Sequence, residues 1–222
     1  MGGGPVGPKR PLVRRQATKA DLDAIFKVVK DGFPDDPGCN YKFPNRDQYP
    51  HDFEKWTRLE YAEYMDQPEK FASFVITATE YDLVDEPIAI GVWDISVTTK
   101  AKGGDRGINE RRDANREHMV AYGEAMTENF DKFFARYGEE QLHLWMLITH
   151  PDFRRRGAGT QLCNWGVEEA ARRGGWILTV MASPMGKNLY DHLGYNLVGY
   201  GTAQVDGEAE KVDIYALEMP QL

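Results

Sequence analysis

Hydrophobic positions along the chain fall into blocks whose spacing switches between a strand-like and a helix-like period. Pro11 to Thr18 (PLVRRQAT) reads as a short strand. Thr18 and Asp21 then make the [ST]-x-x-[DE] pair that caps a helix start, and Leu22, Ile25, Phe26, Val29 and Phe33 follow at helical spacing. Gly32 to Asn45 reads as a loop from its Gly, Pro and Asp content. A second helix is expected within His51 to Met65, with Phe53 and Trp56 inward. Phe71 to Thr79 and Ile88 to Val97 are rich in β-branched and aromatic residues and predict two strands around a hairpin loop. Thr98 to Glu117 is polar, carries two adjacent glycines and many charges, and reads as a mobile surface insertion.

From Met119 the period becomes helical again, with Met119, Tyr122, Met126, Phe130, Phe133 and Tyr137 three or four apart, a stripe expected to pack in the core. Leu142 to Thr149 predicts a strand, Thr160 to Arg173 a helix with Leu162, Trp165, Gly166 and Ala170 on one face, and Trp176 to Ser183 another strand. Pro184 to Leu193 suits a short helix, opened by Pro184 and closed by Gly194. YNLVGYG and KVDIYALEM are the last two strands, joined by a polar turn at Gln204 to Glu210. The order predicts one α/β (α+β) domain over residues 11–222, built on a single sheet and preceded by a flexible Gly/Pro tail at 1–10.

Composition narrows the function classes. The chain has 222 residues, 41% of them hydrophobic, which is enough for one substantial core. It is acidic, with 35 Asp and Glu against 27 Lys and Arg, so the broad basic footprint of a nucleic-acid binder is missing and no nucleic-acid partner is expected. Two cysteines, Cys39 and Cys163, lie far apart with no metal-ligand spacing, so no metal is expected and a reducing compartment is. The N-terminus has no apolar signal core and no run is long and apolar enough to span a bilayer. A cytoplasmic protein with no membrane partner is the expectation.

Within this acidic chain, HPDFRRRGAGT (His150 to Thr160) concentrates three cations before a glycine turn and a helix. The first N–H groups of a helix have no internal partner, and the helix dipole adds positive potential there. Glycines let backbone approach a ligand closely. With Arg154, Arg155 and Arg156 adding charge-assisted hydrogen bonds, Gly157, Ala158, Gly159 and Thr160 have the parts of a pyrophosphate cradle. It is not a dinucleotide fingerprint, because Leu162 stands where a third glycine is needed, and no Walker string exists.

The pattern Arg154-x-x-Gly157-x-Gly159, between a strand and a helix, resembles the [QR]-x-x-G-x-[GA] signature of the GNAT superfamily of acyl-CoA-dependent N-acyltransferases. A second block, ASPMGKNLYDHLGY (Ala182 to Tyr195), is similar to that family's L-Y-x-x-L-G-[FY] segment, and Arg15, Ala17 and Asp21 match its N-terminal opening. The resemblance covers residues 11 to 219 and implies a mixed sheet of about seven strands, splayed at the fourth and flanked by helices. It implies acetyl-CoA as cofactor. The backbone at Leu147, Ile148 and Thr149 would pair with the pantetheine arm, and Ser183, Gly186 and Lys187 of the second block would complete the cofactor site.

The reaction so implied is direct attack of a neutral amine on a thioester. Tyr190, at the L-Y position, is the expected acid toward the departing thiolate. Strand alternation puts His143, Trp145, Leu147 and Thr149 on one face, and His143 titrates in the range a base needs. Asp94 is a second candidate base. Phe33, Asp35, Asp36 and Tyr41 lie where the family builds its acceptor site, as carboxylates for a cationic amine beside an apolar wall. A small-molecule amine is the favoured acceptor. A protein lysine or N-terminus, or an inert acyl-CoA-binding sensor, are the alternatives, and a homodimer is compatible with the sequence.

Overall fold

The computed structural model describes residues 11–78, 85–97 and 107–220. The 1–10 tail, the hairpin residues 79–84 and the first half of the insertion, 98–106, lie outside them. Seven strands, β1 (Leu12–Gln16), β2 (Phe71–Ala78), β3 (Pro87–Asp94), β4 (Gln141–Thr149), β5 (Ile177–Ala182), β6 (Asn196–Gln204) and β7 (Lys211–Met219), form one sheet in the order β1-β2-β3-β4-β5-β7-β6. Every neighbouring pair is antiparallel except β4 and β5. Helices α1 (Leu22–Gly32) and α3 (Pro50–Asp66) bury one face of the sheet with Ile25, Val28, Val29, Phe53 and Tyr61, and α5 (Ala158–Arg172) buries the other with Leu162, Cys163 and Ala170.

The α5 face is set by one close contact. The Trp93 ring is fully buried and its indole N–H donates to the Leu162 carbonyl at 3.2 Å. A Cβ at Gly166 would lie 2.3 Å from that ring, so only glycine lets the helix come down on it. Gly166→Ala is expected to cost about 1–3 kcal/mol of stability through this overlap, despite the better helix propensity of alanine. A urea unfolding midpoint unchanged or raised would show that α5 can shift away freely.

Two sequence expectations change here. Gly32 to Asn45 is not a plain loop: Phe33–Asp35 form one 3-10 turn and Pro37–Lys42 a short helix, α2. The Asp36 carboxylate accepts from the Cys39 N–H at 3.1 Å and Pro37 takes the first helical position, so the residues that looked like breakers cap a helix instead. Phe53 is buried as expected, whereas Trp56 is only half-buried, against Gly107.

The described part of the insertion is anchored, against the expectation of mobility. Arg111 donates to both carboxylate oxygens of Asp113, at 2.9 and 2.6 Å, with side chains 4% and 0% exposed, and its guanidinium covers the Phe43 ring at 4.4 Å. The backbone N–H of Asn45 donates to Asp113 and that of Asn115 to Lys42, while Arg112 pairs with Asp52. Helix α4 (Arg116–Phe133) begins directly afterwards, capped by the Asn115 side chain. It lies over β6, with Asn129 and Phe133 against Gly201 and Gly199. Of the expected stripe, Met119, Tyr122, Met126, Phe130 and Phe133 are half-buried; the fully buried positions are His118, Ala125 and Asn129.

Candidate active site

Strand β4 positions the site, and it does so by two irregularities. The first is a bulge. Val92 pairs with Met146 but Trp93 pairs with Leu144, so Trp145 is an extra residue on β4. Gly91 and Trp93, two apart on β3, both face α5, where they meet Leu162 and Gly166. Their partners Leu147 and Leu144 are three apart yet also face α5. Strict alternation therefore fails: His143 and Trp145 face away from α5, whereas Leu147 has crossed to the α5 face, and Met146 and Ile148 pack with α1 instead.

The second irregularity is a splay. The pairing of β4 with β5 runs only from Gln141↔Ile177 to Leu144↔Val180, while β4 stays paired to β3 as far as Thr149↔Ala89. Beyond Leu144 the β5-facing edge of β4, including Leu147, Ile148 and Thr149, has no strand beside it among the described residues. The expected opening at the fourth strand is present.

At the mouth of this gap stands the arginine-glycine turn. Arg155 (φ 61°) and Gly157 (φ 92°) are both left-handed, and α5 starts at Ala158 with no side-chain cap. The first helical bond runs from Gln161 N–H to the Gly157 carbonyl, so the N–H groups of Gly157, Ala158, Gly159 and Thr160 find no backbone acceptor among the described residues. Gly159 sits against α6 (Pro184–His192), where a Cβ would lie 2.9 Å from Leu189 Cδ2. Gly157 has open space around it and is required for its φ alone.

The three arginines divide the work. Arg154 faces back into the protein: it pairs with Asp35 at 2.5 Å and donates to the carbonyls of Gly32 (2.9 Å) and Thr149 (3.3 Å), clamping the end of α1 to the end of β4. Here Arg154, expected at a phosphate, and Asp35, expected at the acceptor, pair with each other. Arg156 lies over the Phe153 ring. Arg155 is exposed and makes no ion pair among the described residues. His150 caps the turn, accepting from the Asp152 N–H and meeting Asp31 at 3.2 Å. On α6, Ser183 accepts from the Gly186 N–H, and Lys187 pairs with Asp191 at 2.5 Å.

Tyr190 is buried against Tyr195, with ring centroids 5.5 Å apart, and its hydroxyl has no hydrogen-bond partner among the described residues. Burial raises its pKa well above that of a free phenol, with the Cys163 thiol and Asp36 adding to the rise. Burial and then Asp36 also raise Tyr122, and the Tyr122 hydroxyl and the Asp36 carboxylate both lie within 3.4 Å of where a Gly38 Cβ would stand. The fold thus brings Asp36 and Tyr122 together from separate elements. Tyr122, read from its spacing as a core residue, is half-buried and stands beside the Asp36 carboxylate. Burial pushes the Cys163 thiol up to about 12, which keeps it from being a nucleophile.

His143 is 2% exposed, between the rings of Phe130 and Phe134, with Nδ1 2.9 Å from the Thr179 hydroxyl. Thr179 in turn donates to the Gln141 amide oxygen at 3.1 Å, since the Gln141 nitrogen is spent on the carbonyls of Phe134 and Gly138. With its proton so committed, the hydroxyl accepts from Nδ1–H. Asp94 is the cross-strand partner of His143 and is buried, accepting from the Ser96 N–H. Phe33 packs with the α1–α3 core, and the Tyr41 ring stacks on His118 at 4.1 Å.

A seven-stranded sheet opened at its fourth strand, with a helix N-terminus at the opening, defines an acyltransferase-type fold. Residues 41–195 match the family model described as the acetyltransferase (GNAT) family, and the chain belongs to that family. A protein from Stachybotrys chartarum described as an acetyltransferase is 23% identical over 208 residues, 88% of this chain and 85% of its own. Among solved structures, an agmatine N-acetyltransferase superposes with TM-score 0.62 at 14% identity, covering 94% of this chain and 99% of its own. The ribosomal-protein-S18-alanine N-acetyltransferase from Escherichia coli superposes with TM-score 0.56 at 14% identity, covering 95% and 94%. At such identities these structures share the fold. No helix among the described residues is long and apolar enough to cross a membrane.

Proposed function

We propose that the chain transfers an acetyl group from acetyl-CoA directly to the amine of a small molecule. The observation that carries this reading is the opened edge of β4, which ends at a helix N-terminus with free N–H groups. An extended, amide-bearing arm with a pyrophosphate at one end fits both halves of that groove. In it the backbone at Leu147, Ile148 and Thr149 holds the arm. The N–H groups of Gly157, Ala158, Gly159 and Thr160 hold the pyrophosphate, helped by the charge of Arg155 and Arg156 and by the Ser183–Lys187 turn of α6. Acetyl-CoA, when bound, would supply the activated thioester carbonyl.

The chain's own residues would manage protons. An alkylamine of pKa about 10.4 arrives protonated and must lose a proton before it attacks. His143 Nε2 is assigned that proton, with Asp94 beside it on the neighbouring strand. Tyr190 holds its own proton at any ordinary pH and is assigned as donor to the departing sulfur. Asp36 would attract the cationic acceptor, with Phe33 and Tyr41 on the apolar side. Helix α2 lies on α4 at Gly38 and Tyr122, beside the Asp36 carboxylate, and a small cationic amine is the acceptor assigned to it.

Gly157→Ala tests the cradle. It is expected to cost about 1–2 kcal/mol in the left-handed region and to weaken acetyl-CoA binding measured by calorimetry. Unchanged affinity would place the pyrophosphate elsewhere. The function is tested by scoring CoA release over a panel of small amines, amino acids and lysine peptides. Small cationic amines are expected to react fastest. Faster reaction of peptides would shift the acceptor to protein, and tight acetyl-CoA binding with no release under any acceptor would mark an inert binding domain.

A further inference from the structure

We propose that His118, Glu208 and Glu210 form a site for one divalent metal ion of the zinc type, tying the β6–β7 turn to the first turn of α4. None of the three belongs to the opened groove, but His118 touches Tyr41, which the acetyl-transfer reading places at the acceptor, so its test reads metal uptake and stability and not activity. His118 is 2% exposed, and its Nδ1 lies 2.8 Å from the Tyr41 carbonyl oxygen. A carbonyl and a carboxylate can each only accept, so without a metal both ring nitrogens donate, Nδ1 to Tyr41 and Nε2 to Glu208, and an ion bound here would take the place of the Nε2 proton. Nε2 lies 2.6 Å from one Glu208 oxygen and 3.8 Å from one Glu210 oxygen, and the three ligand atoms lie within 4.8 Å of one another. A histidine whose far nitrogen is fixed by a carbonyl while its near nitrogen is delivered to a cluster has the arrangement of a metal ligand. Around zinc, with bonds of about 2.1 Å, tetrahedral ligand atoms sit about 3.4 Å apart, so adjustments of about an ångström close the shell.

Two further observations support it. The backbones that carry the ligands are held. The His118 N–H donates to Asn115 Oδ1 (3.2 Å) and the Glu208 N–H to the Val205 carbonyl (3.1 Å), while the Glu208 carbonyl accepts from the Gln204 amide (2.7 Å). Negative charge is also in excess: among the described residues no Lys or Arg pairs with Glu208 or Glu210, so two carboxylates share one imidazolium. The Glu210 side chain is 77% exposed, which leaves an entry path and a position for water as the fourth ligand.

The full-length chain, stripped with a chelator and titrated with zinc near neutral pH by calorimetry and equilibrium dialysis, tests this. One zinc per chain is expected, with a higher thermal midpoint. Glu210→Gln, at an exposed position that folding tolerates, is expected to weaken uptake at least about 10-fold and to remove the thermal shift. His118→Asn is expected to abolish uptake. All variants keep Cys39 and Cys163, so zinc held by thiols would persist in them. Absence of stoichiometric uptake at about 100 μM zinc, or equal uptake by wild type, Glu208→Gln and Glu210→Gln, overturns the proposal.

Discussion

Replacing Tyr190 by phenylalanine is expected to lower kcat for acetyl transfer about 10²-fold or more, while acetyl-CoA affinity stays within about twofold. The substitution removes one oxygen and keeps the ring that packs on Tyr195. Because the hydroxyl has no hydrogen-bond partner among the described residues, its loss breaks no contact of the fold and creates no orphaned group. A stability penalty is therefore not expected, and a fall in rate would report on chemistry. The phenol's raised pKa, caused first by burial, means that it is protonated throughout the neutral range, as a donor to a leaving thiolate must be. Steady-state kinetics with a reactive amine, alongside calorimetry for acetyl-CoA, give the two quantities. An unchanged kcat removes Tyr190 from the mechanism.

Asp113→Ala is expected to destabilise the protein by about 3–5 kcal/mol, the range for breaking one side of a buried ion pair. The Arg111 guanidinium would be left 4% exposed over the Phe43 ring with its carboxylate removed. The penalty comes from weakening the compensation of a desolvated guanidinium rather than from the attraction lost, so an Arg111→Met and Asp113→Leu double variant should recover most of it. Urea unfolding of the three proteins decides. A loss under about 1 kcal/mol for Asp113→Ala would show that the 107–115 segment lifts off independently of the core.

The strands and main helices were legible because their apolar periods are long and sharply bounded, as in LHLWMLIT and in the stretch that follows the glycine turn. The turn itself was legible because its chemistry is local: a positive φ, a helix start and a run of cations are all contiguous in sequence. What was hidden depended on partners far along the chain. Asp36 and Pro37 have the composition of a loop, and only the Cys39 N–H shows that they cap a helix. The bulge at Trp145 leaves no mark in composition, so alternation placed Leu147 beside His143 when it faces the opposite helix. That Arg154 has Asp35, more than a hundred residues away in the chain, as a counterion leaves no mark in the local motif. The insertion looked solvated because Arg111 and Asp113 are charged, and charge alone does not say whether a partner follows it into the interior.

The parting of β4 from β5 has a consequence for what can enter the protein. An unpaired strand edge ordinarily invites another strand, and exposed edges are where sheets join wrongly. Here that edge lies inside the sheet, with α1 over one face and α5 over the other. A folded neighbour cannot reach it, since a second sheet would need room for its own side chains on both faces. A single thin, flexible chain bearing its own amides can. On the proposed reading the gap would therefore select by shape before any residue contributes chemistry, favouring a slender arm of similar hydrogen-bonding habit over a protein strand.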